Sequence, residues 1–366
     1  MSQSLAKAVK YIKTPSELLN VLKRDLYCKD LIVADARFTG SDTVKYQSIT
    51  FDSYVMDTFS QSTGYDATGI VSTWKTLTLT QDKGNKLLID RIVEDEEVTA
   101  TGLVTYVNRY IETVQQPAVD TYVFGVIANK TGVASNKKTL ANTSTLEELN
   151  KAFAVLINND IKTERLILYC SPTIKAFLDE QTFGKGIITL GTWNGEVDYQ
   201  VQMINGAKIV VVPDSRLPSG VQFILVHKDA CPVFVKFQET EFFDKIPGFG
   251  SRKMQADIGI YYDSFVYDEL VKGVYVSKVA TYTLAFQDGN AVGGAVTASP
   301  TTLTTLTLNE GQVITLPSSS GFTLETHDFL GWNVTDEFNA SVTYEDEGVY
   351  TMGNANATLY GAWVLK

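Results

Sequence analysis

The side chains able to do chemistry are few and scattered. There are 2 histidines. His227 ends the apolar run VQFILVH, where a strand-end side chain is the plain reading, and His327 sits between Thr326 and Asp328 in a loop-like, acidic stretch. Neither finds the third partner that a nucleophile–base–orienter arrangement needs. GxSxG, HExxH, a P-loop and GxGxxG do not occur. Gly248-Phe249-Gly250 is a short glycine-rich segment without the strand-then-helix context of a phosphate cradle. Cys28, Cys170 and Cys231 stand far apart with no CxxC or metal-ligand spacing, and are expected as free, buried thiols of a reducing compartment. The acid run Glu94, Asp95, Glu96, Glu97 resembles a cation site, yet acids opening an apolar-periodic segment are what a helix N-terminus favours. The chain reads as having no catalytic, cofactor or metal site, and as no enzyme.

Contact chemistry is better represented. Thr43–Phe51 (TVKYQSITF) and Gly69–Thr80 (GIVSTWKTLTLT) read as two strands of a long arm, with Ser60, Ser62, Gly64 and Gly69 at its polar tip. On the second strand Val71, Lys75, Leu77 and Leu79 share one face, and Ile70, Trp74, Thr76 and Thr78 the other. Neither face looks apolar enough to lie on its own core, and an isolated hairpin is marginal in water. The arm therefore needs a surface from elsewhere, most economically a second copy of the chain. Tyr46, Trp74, Leu77 and Leu79 are the residues expected to make that contact. Lys7, Lys10 and Lys13 fall on one helical face and could touch phosphates, although a solvated face explains them as well.

The elements that position the arm are legible in outline. Thr14-Pro15-Ser16-Glu17 is a helix start, and Leu18, Leu19, Leu22 and Leu26 carry its apolar stripe to about Tyr27. After the arm, Asp82-Lys83-Gly84-Asn85 is expected to be a turn joining TLTLT to KLLID. From the acid run, Leu103, Val107, Ile111 and Val114 recur at helical spacing. Pro117 should kink or interrupt that helix, and Val119, Tyr122, Val123 and Val126 resume it to about Asn129. Ser144 with Glu147 opens a further helix. The buried strand RLILYC follows, then a helix opened by Ser171-Pro172, hairpin-like segments between Gly186 and Ile204, and the strands KIVVV and VQFILV. MQADIGIYYDSFVY, a turn at Asp268–Gly273 and VYVSKV close an α+β body.

At 366 residues with 44% hydrophobic and 20% charged side chains, the sequence is that of an ordinary globular protein long enough for two domains. No apolar run approaches the roughly 20 residues of a spanning helix, and the lysine-spaced N-terminus forms no signal-peptide core, so use without secretion is expected. Asn-x-Ser/Thr triplets at Asn129, Asn142, Asn333, Asn339 and Asn356 are then chance matches. The net charge of −11 is uneven: from Ala280 on there are 9 acids and 1 base, against 33 acids and 30 bases before it. A near-neutral body with an acidic C-terminal module argues against dedicated nucleic-acid recognition. That module, Ala280 to Lys366, is rich in Thr, Gly, Ser and aromatics, with strand-like TYTLAF, QVITLP, FLGWNV and ATLYGAWV.

The order of N-terminal arm, extended β-arm, TLTLTQDKGNKLLID, acid-opened long helix, the Pro-then-Asp break in QQPAVDTYVFGVIA and the closing strands ending in GVYV resembles the tailed-bacteriophage major capsid protein of HK-ninety-seven fold. The resemblance covers residues 1–279. It implies an N-arm at 1–39, an E-loop at 40–80, a spine helix at 94–130, an axial domain at about 140–230 and peripheral-domain closing strands to 279. It further implies pentamers and hexamers of an icosahedral virion shell, assembled in the host bacterial cytoplasm. The shell would enclose double-stranded DNA without sequence-specific binding, with portal and scaffolding proteins as partners and no membrane. The arm begins within about 40 residues, so no long cleaved scaffolding segment is expected, and no cross-linking residue pair is matched. Residues 280–366, through Tyr282-x-Leu284-x-Phe286, Gly293-Gly294, Gly311, Leu316-Pro317, Phe329-x-Gly331-Trp332 and Leu359-Tyr360-x-x-Trp363, resemble an internalin-type B repeat of β-grasp type. An immunoglobulin-like sandwich is the alternative. The module is expected as an outward decoration. An encapsulin-type compartment shell shares the fold, and a bacterial surface adhesion protein is the reading from another class.

Overall fold

The computed structural model describes residues 26–34, 36–40, 42–52, 56, 58–62, 65, 68–90, 101–191, 201–243, 253–291, 294–295, 304–318, 326–336 and 342–366. The expected N-terminal helix, the lysines at 7, 10 and 13, the acid run at 94–97 and the glycine loop at 248–250 lie outside the described residues. The chain divides into two compact units. One is Met1–Ala134, Thr145–Ser219 and Phe223–Val276; the other is Ser135–Ser144, Gly220–Gln222 and Ser277–Lys366.

In the first unit the long helix is interrupted where its proline demands. Thr101–Tyr110 is α-helical, Ile111–Gln115 is a π turn, and Gln116–Asn129 resumes the α-helix with Pro117 in its first turn. Pro117 has no N–H to give to the carbonyl one turn back, and a widened turn absorbs the mismatch. Val107 and Ile111 pack with Met254, Ala256 and Ile258 of the long strand Lys253–Ser264. Past the π turn, Val119, Val123, Phe124 and Ile127 are buried, and the Phe124 ring meets Tyr169 edge-on at 4.9 Å.

Lys253–Ser264 is the centre of an antiparallel three-stranded sheet, with Val233–Phe243 on one side and Gln81–Asp90 on the other. Two sequence expectations change here. Asp82–Asn85 is no turn: the ladder runs unbroken from Gln81↔Tyr262 to Asp90↔Lys253. A Cβ on Gly84 would stand 2.8 Å from the Ile258 carbonyl oxygen, so the glycine permits a close strand approach instead of a reversal. The change of direction comes earlier, at Leu79–Thr80, where the chain passes from the arm to this sheet. Val233–Phe243 was not anticipated, because a bulge between Val235 and Phe237 interrupts its alternation.

A second sheet places its strands in the order Ala134–Lys137, Val274–Lys278, Val221–His227, Leu166–Cys170, Ala207–Val211, Val201–Ile204 and Ile188–Gly191. Every residue of Leu166–Cys170 is buried, as its uninterrupted apolar run requires. The helix Pro172–Thr182 starts as expected, with Ser171 Oγ accepting from the Ile174 amide at 3.3 Å. Thr145–Asn158 is also helical. The α+β character follows from this mixture of helices and mixed sheet.

Buried charge ties the segment at Leu26–Val33 to this body. Asp120 is wholly buried. It accepts from the Cys28 amide at 3.1 Å and the Tyr27 amide at 3.4 Å, and pairs with Arg216 at 2.7 Å. The Arg216 guanidinium also lies over the Tyr27 ring at 4.9 Å. Asp30 and Lys208, both buried, pair at 2.8 Å.

The second unit has its own core of Leu284, Leu308, Leu316, Trp332, Tyr350, Met352, Leu359 and Trp363. Thr281–Ala291 runs parallel to Ala357–Leu365, so the module's first and last strands are neighbours. Trp363 Nε1 donates to the Asp288 carbonyl at 2.7 Å. Gly289 has φ +78° and approaches Gly361 so closely that no Cβ would fit. His327 begins the strand His327–Asn333, whereas the sequence suggested a loop. The unit boundary also differs from a cut at Ala280. The Lys138 amide donates to the Lys278 carbonyl at 2.9 Å, the Leu140 amide to Gln222 at 2.8 Å, and the Val279 amide to the Gly220 carbonyl at 2.7 Å. Short segments distant in sequence therefore belong to this unit, which no local composition change could announce.

Asp120→Ala removes one partner of a buried pair and two amide acceptors at once. It is expected to destabilise the protein by about 3–5 kcal/mol, read as a lowered urea midpoint at pH 7.

Candidate assembly site

The arm is a three-stranded sheet of Phe38–Thr39, Thr43–Phe51 and Ile70–Thr78, paired from Thr43↔Thr78 out to Phe51↔Ile70. It has a root, a clamped stem and an uncovered blade.

At the root, Val44 and Leu79 are buried with Phe234, and Phe38, Leu77, Tyr261 and Phe265 pack around them. The Tyr261 hydroxyl donates to the Leu79 carbonyl at 2.8 Å. Asp263 Oδ2 then accepts from the Thr80 amide at 2.8 Å and from Thr80 Oγ1 at 2.9 Å, while Oδ1 accepts from the Tyr122 hydroxyl at 2.7 Å. Burial, and next the bond to Asp263, push the Tyr122 phenol up to about 12. One carboxylate thus joins the arm's exit, the long helix and the central strand.

The stem is held by the turn Asp268–Gly273. Glu269 accepts from Ser48 Oγ at 2.7 Å and from the Tyr46 hydroxyl at 3.2 Å, and pairs with Lys75 at 2.7 Å. Asp268 pairs with Lys130 at 2.7 Å and approaches Lys75 at 3.6 Å. The Tyr46 ring lies 4.6 Å from that of Tyr267. The Lys75 bond first, and the Ser48 bond second, hold the Glu269 carboxyl down at about 2. Burial, reinforced by the charge on Glu269, raises the Tyr46 phenol.

Beyond the clamp the outer face of the arm is exposed. Its outer face carries Ile49, Phe51, Ile70 and Trp74, exposed by 51%, 44%, 67% and 67%. Met56, Phe59 and Tyr65 near the tip are exposed too, with the rings of Phe59 and Tyr65 edge to face at 5.3 Å. So many large apolar groups in one segment is what an interaction surface presents, not what scattered surface residues present.

Of the four residues expected to contact another copy, Trp74 alone stands on this free face. Leu79 is 2% exposed and Leu77 packs beside it, so both belong to the chain's own core. Tyr46 is engaged by Tyr267 and Glu269. The alternation of the strand assigned the faces correctly. It could not tell that the inner face lies on the chain's own body as far as Ser48 and Lys75. Glu269, which organises the stem, was hidden in a segment legible only as a turn. Elsewhere, the three cysteines are buried, and burial pushes the Cys170 thiol up to about 12. His227 Nδ1 accepts from the Asp229 amide at 3.4 Å, and burial lowers its pKa. Among the described residues no cluster of His, Cys, Asp and Glu could hold a metal ion, and no helix is long and apolar enough to cross a membrane.

No protein-family model matches the sequence, and no curated protein matches it. Among solved structures, the chain is similar to the capsid of the cyanophage P-SCSP1u, with a TM-score of 0.50 and 11% identity over 67% of this chain and 85% of that one. A structure from Mycobacterium phage Che8 matches at TM-score 0.47 and 14% identity, over 65% and 84% of the two chains. A virus-like particle from Pyrococcus furiosus matches at TM-score 0.47 and 13% identity, over 72% and 96%. The likeness to the cyanophage capsid is one of fold.

Glu269→Gln should loosen the stem while the root stays folded. A carboxylate about a third exposed contributes about 1 kcal/mol or less after solvent screening, so hydrogen-exchange protection at 46–48 should fall up to roughly 5-fold. Because the folded value lies below the ordinary 4.5, the contribution is whole above about 4.5 and is lost as pH falls toward about 2.

Proposed function

We propose that this chain, which shares the fold of a tailed-phage capsid subunit, is the major shell protein of a phage head. The observation that carries the reading is the arm. A sheet clamped at one end and apolar along its outer face gains stability when something covers that face, and identical copies supply such cover in a closed shell. On this reading the arm is the E-loop, and the interrupted helix ending at Asn129 is the spine. Copies of the chain then form the pentamers and hexamers of an icosahedral particle, with portal and scaffolding proteins as further partners. The subunit's role is structural, with no chemical step.

The reading extends to what the shell contains. A body with 33 acids and 30 bases before Ala280 offers little phosphate neutralisation, so enclosed DNA is packed without being gripped. The module from Ala280 on, with 9 acids and 1 base, suits an outward decoration. Outside, its charge keeps particles apart; inside, it would repel the packaged polyanion. Its aromatic residues account for its own core. A compartment shell and a surface adhesin are not favoured.

Electron microscopy of the purified protein should show closed icosahedral particles. The chain ending at Val279 should still close shells, and the full-length particles should carry extra density outside. Hydrogen exchange supplies the finer test: residues 43–48 should be protected in single subunits and particles alike, and Ile49–Ile70 only in particles. Open aggregates, loss of assembly on truncation, or density on the inner wall would each overturn the corresponding part.

A further inference from the structure

The long helix and the edge strand of the three-stranded sheet diverge around a cleft of about 340 Å3, walled by Gln81, Lys83, Tyr110, Val114, Gln115 and Ala118 among others. Its origin is visible in the sequence of both walls. On the helix-facing side of the edge strand Leu87 joins the Val107–Ile111 core. The residues two, four and six before it, Asn85, Lys83 and Gln81, are polar and do not fill the space. Opposite them, the π turn Ile111–Gln115 widens the helix wall, and Ala118 offers only a methyl group. Tyr122 and Tyr262 complete an aromatic lining. Gln115 is more than nine-tenths buried, yet its Oε1 has no hydrogen-bond partner. A cleft of this kind suits a flat apolar group carrying a hydrogen-bond donor, as an indole does.

We propose that the cleft receives Trp74 of a second copy. The proposal rests on the arm being an assembly element, and it names the residue and the seat. Among the described tryptophans, Trp74 is exposed, whereas Trp332 and Trp363 are buried in the core of the second unit. The faces of the strand argue against a chain's own Trp74. Lys75, on the opposite face, is held down by Glu269, so Trp74 points away from its own body. The contact therefore joins two different patches of one chain, the kind of heterologous interface that closes rings. The terminal torsion of a glutamine is soft, so the Gln115 amide turns to present Oε1 to the incoming indole N–H.

A photo-activated cross-linking residue at position 74 tests this, in a mixture of isotopically heavy and light copies, both in particles and in concentrated solution. Heavy–light cross-links to peptides containing Tyr110, Val114 or Ala118 are expected. Trp74→Phe keeps the ring and loses the donor, and should raise the concentration needed for association about 5-fold; Trp74→Ala should raise it about 30-fold or more. Closed particles with cross-links elsewhere, or Phe performing as well as Trp, would overturn this inference and leave the shell reading standing. Cross-links at the cleft without closed particles would do the reverse.

Discussion

The carboxylate of Asp263 sits where the chain changes sheets, and the aim of the arm depends on it. Between the arm strand ending at Thr78 and the body strand beginning at Gln81, the Thr80 amide has no place in either ladder. Asp263 accepts it, accepts the Thr80 hydroxyl as well, and receives the Tyr122 hydroxyl and its neighbour Ser264's amide on the other oxygen. Charge-assisted bonds of this kind are short and directional. The corner is therefore fixed in angle as well as in place, and the arm leaves the body along a defined line.

From that corner the arm divides into parts with opposite requirements. The root is an ordinary core: Val44, Leu79 and Phe234 gain by leaving water, with nothing further to assemble. The stem is polar and held by Glu269 and Asp268, whose pairs with Lys75 and Lys130 are partly exposed and individually weak. The blade's apolar side chains stay exposed. A firm root directs the arm while its blade stays exposed.

Interior charge serves a different purpose in the body. Asp120, Arg216, Asp30 and Lys208 hold the segment entering at Leu26 against the long helix and the central sheet. Buried pairs of this sort add little net stability compared with apolar residues, but losing one partner is costly.

The sequence by itself determined the elements whose cause is local. Pro117 located the break in the long helix, Ser171-Pro172 the start of another, and the unrelieved apolar run LILYC a wholly buried strand. Strand alternation also assigned Trp74 and Leu77 to opposite faces of the arm. What only the tertiary structure decided were facts about which surface each face meets. Leu77 and Leu79 read like contact residues because a period of two says which side chains point together and nothing about what lies beneath them. Glu269 lies more than two hundred residues from Ser48, so no spacing could join them. Asp82–Asn85 carries turn-forming residues, yet pairing with a strand far along the chain overrides a local preference worth about 1 kcal/mol. Local chemistry chose the pieces, and long-range burial and hydrogen bonding decided where the arm stops being core and begins to be interface.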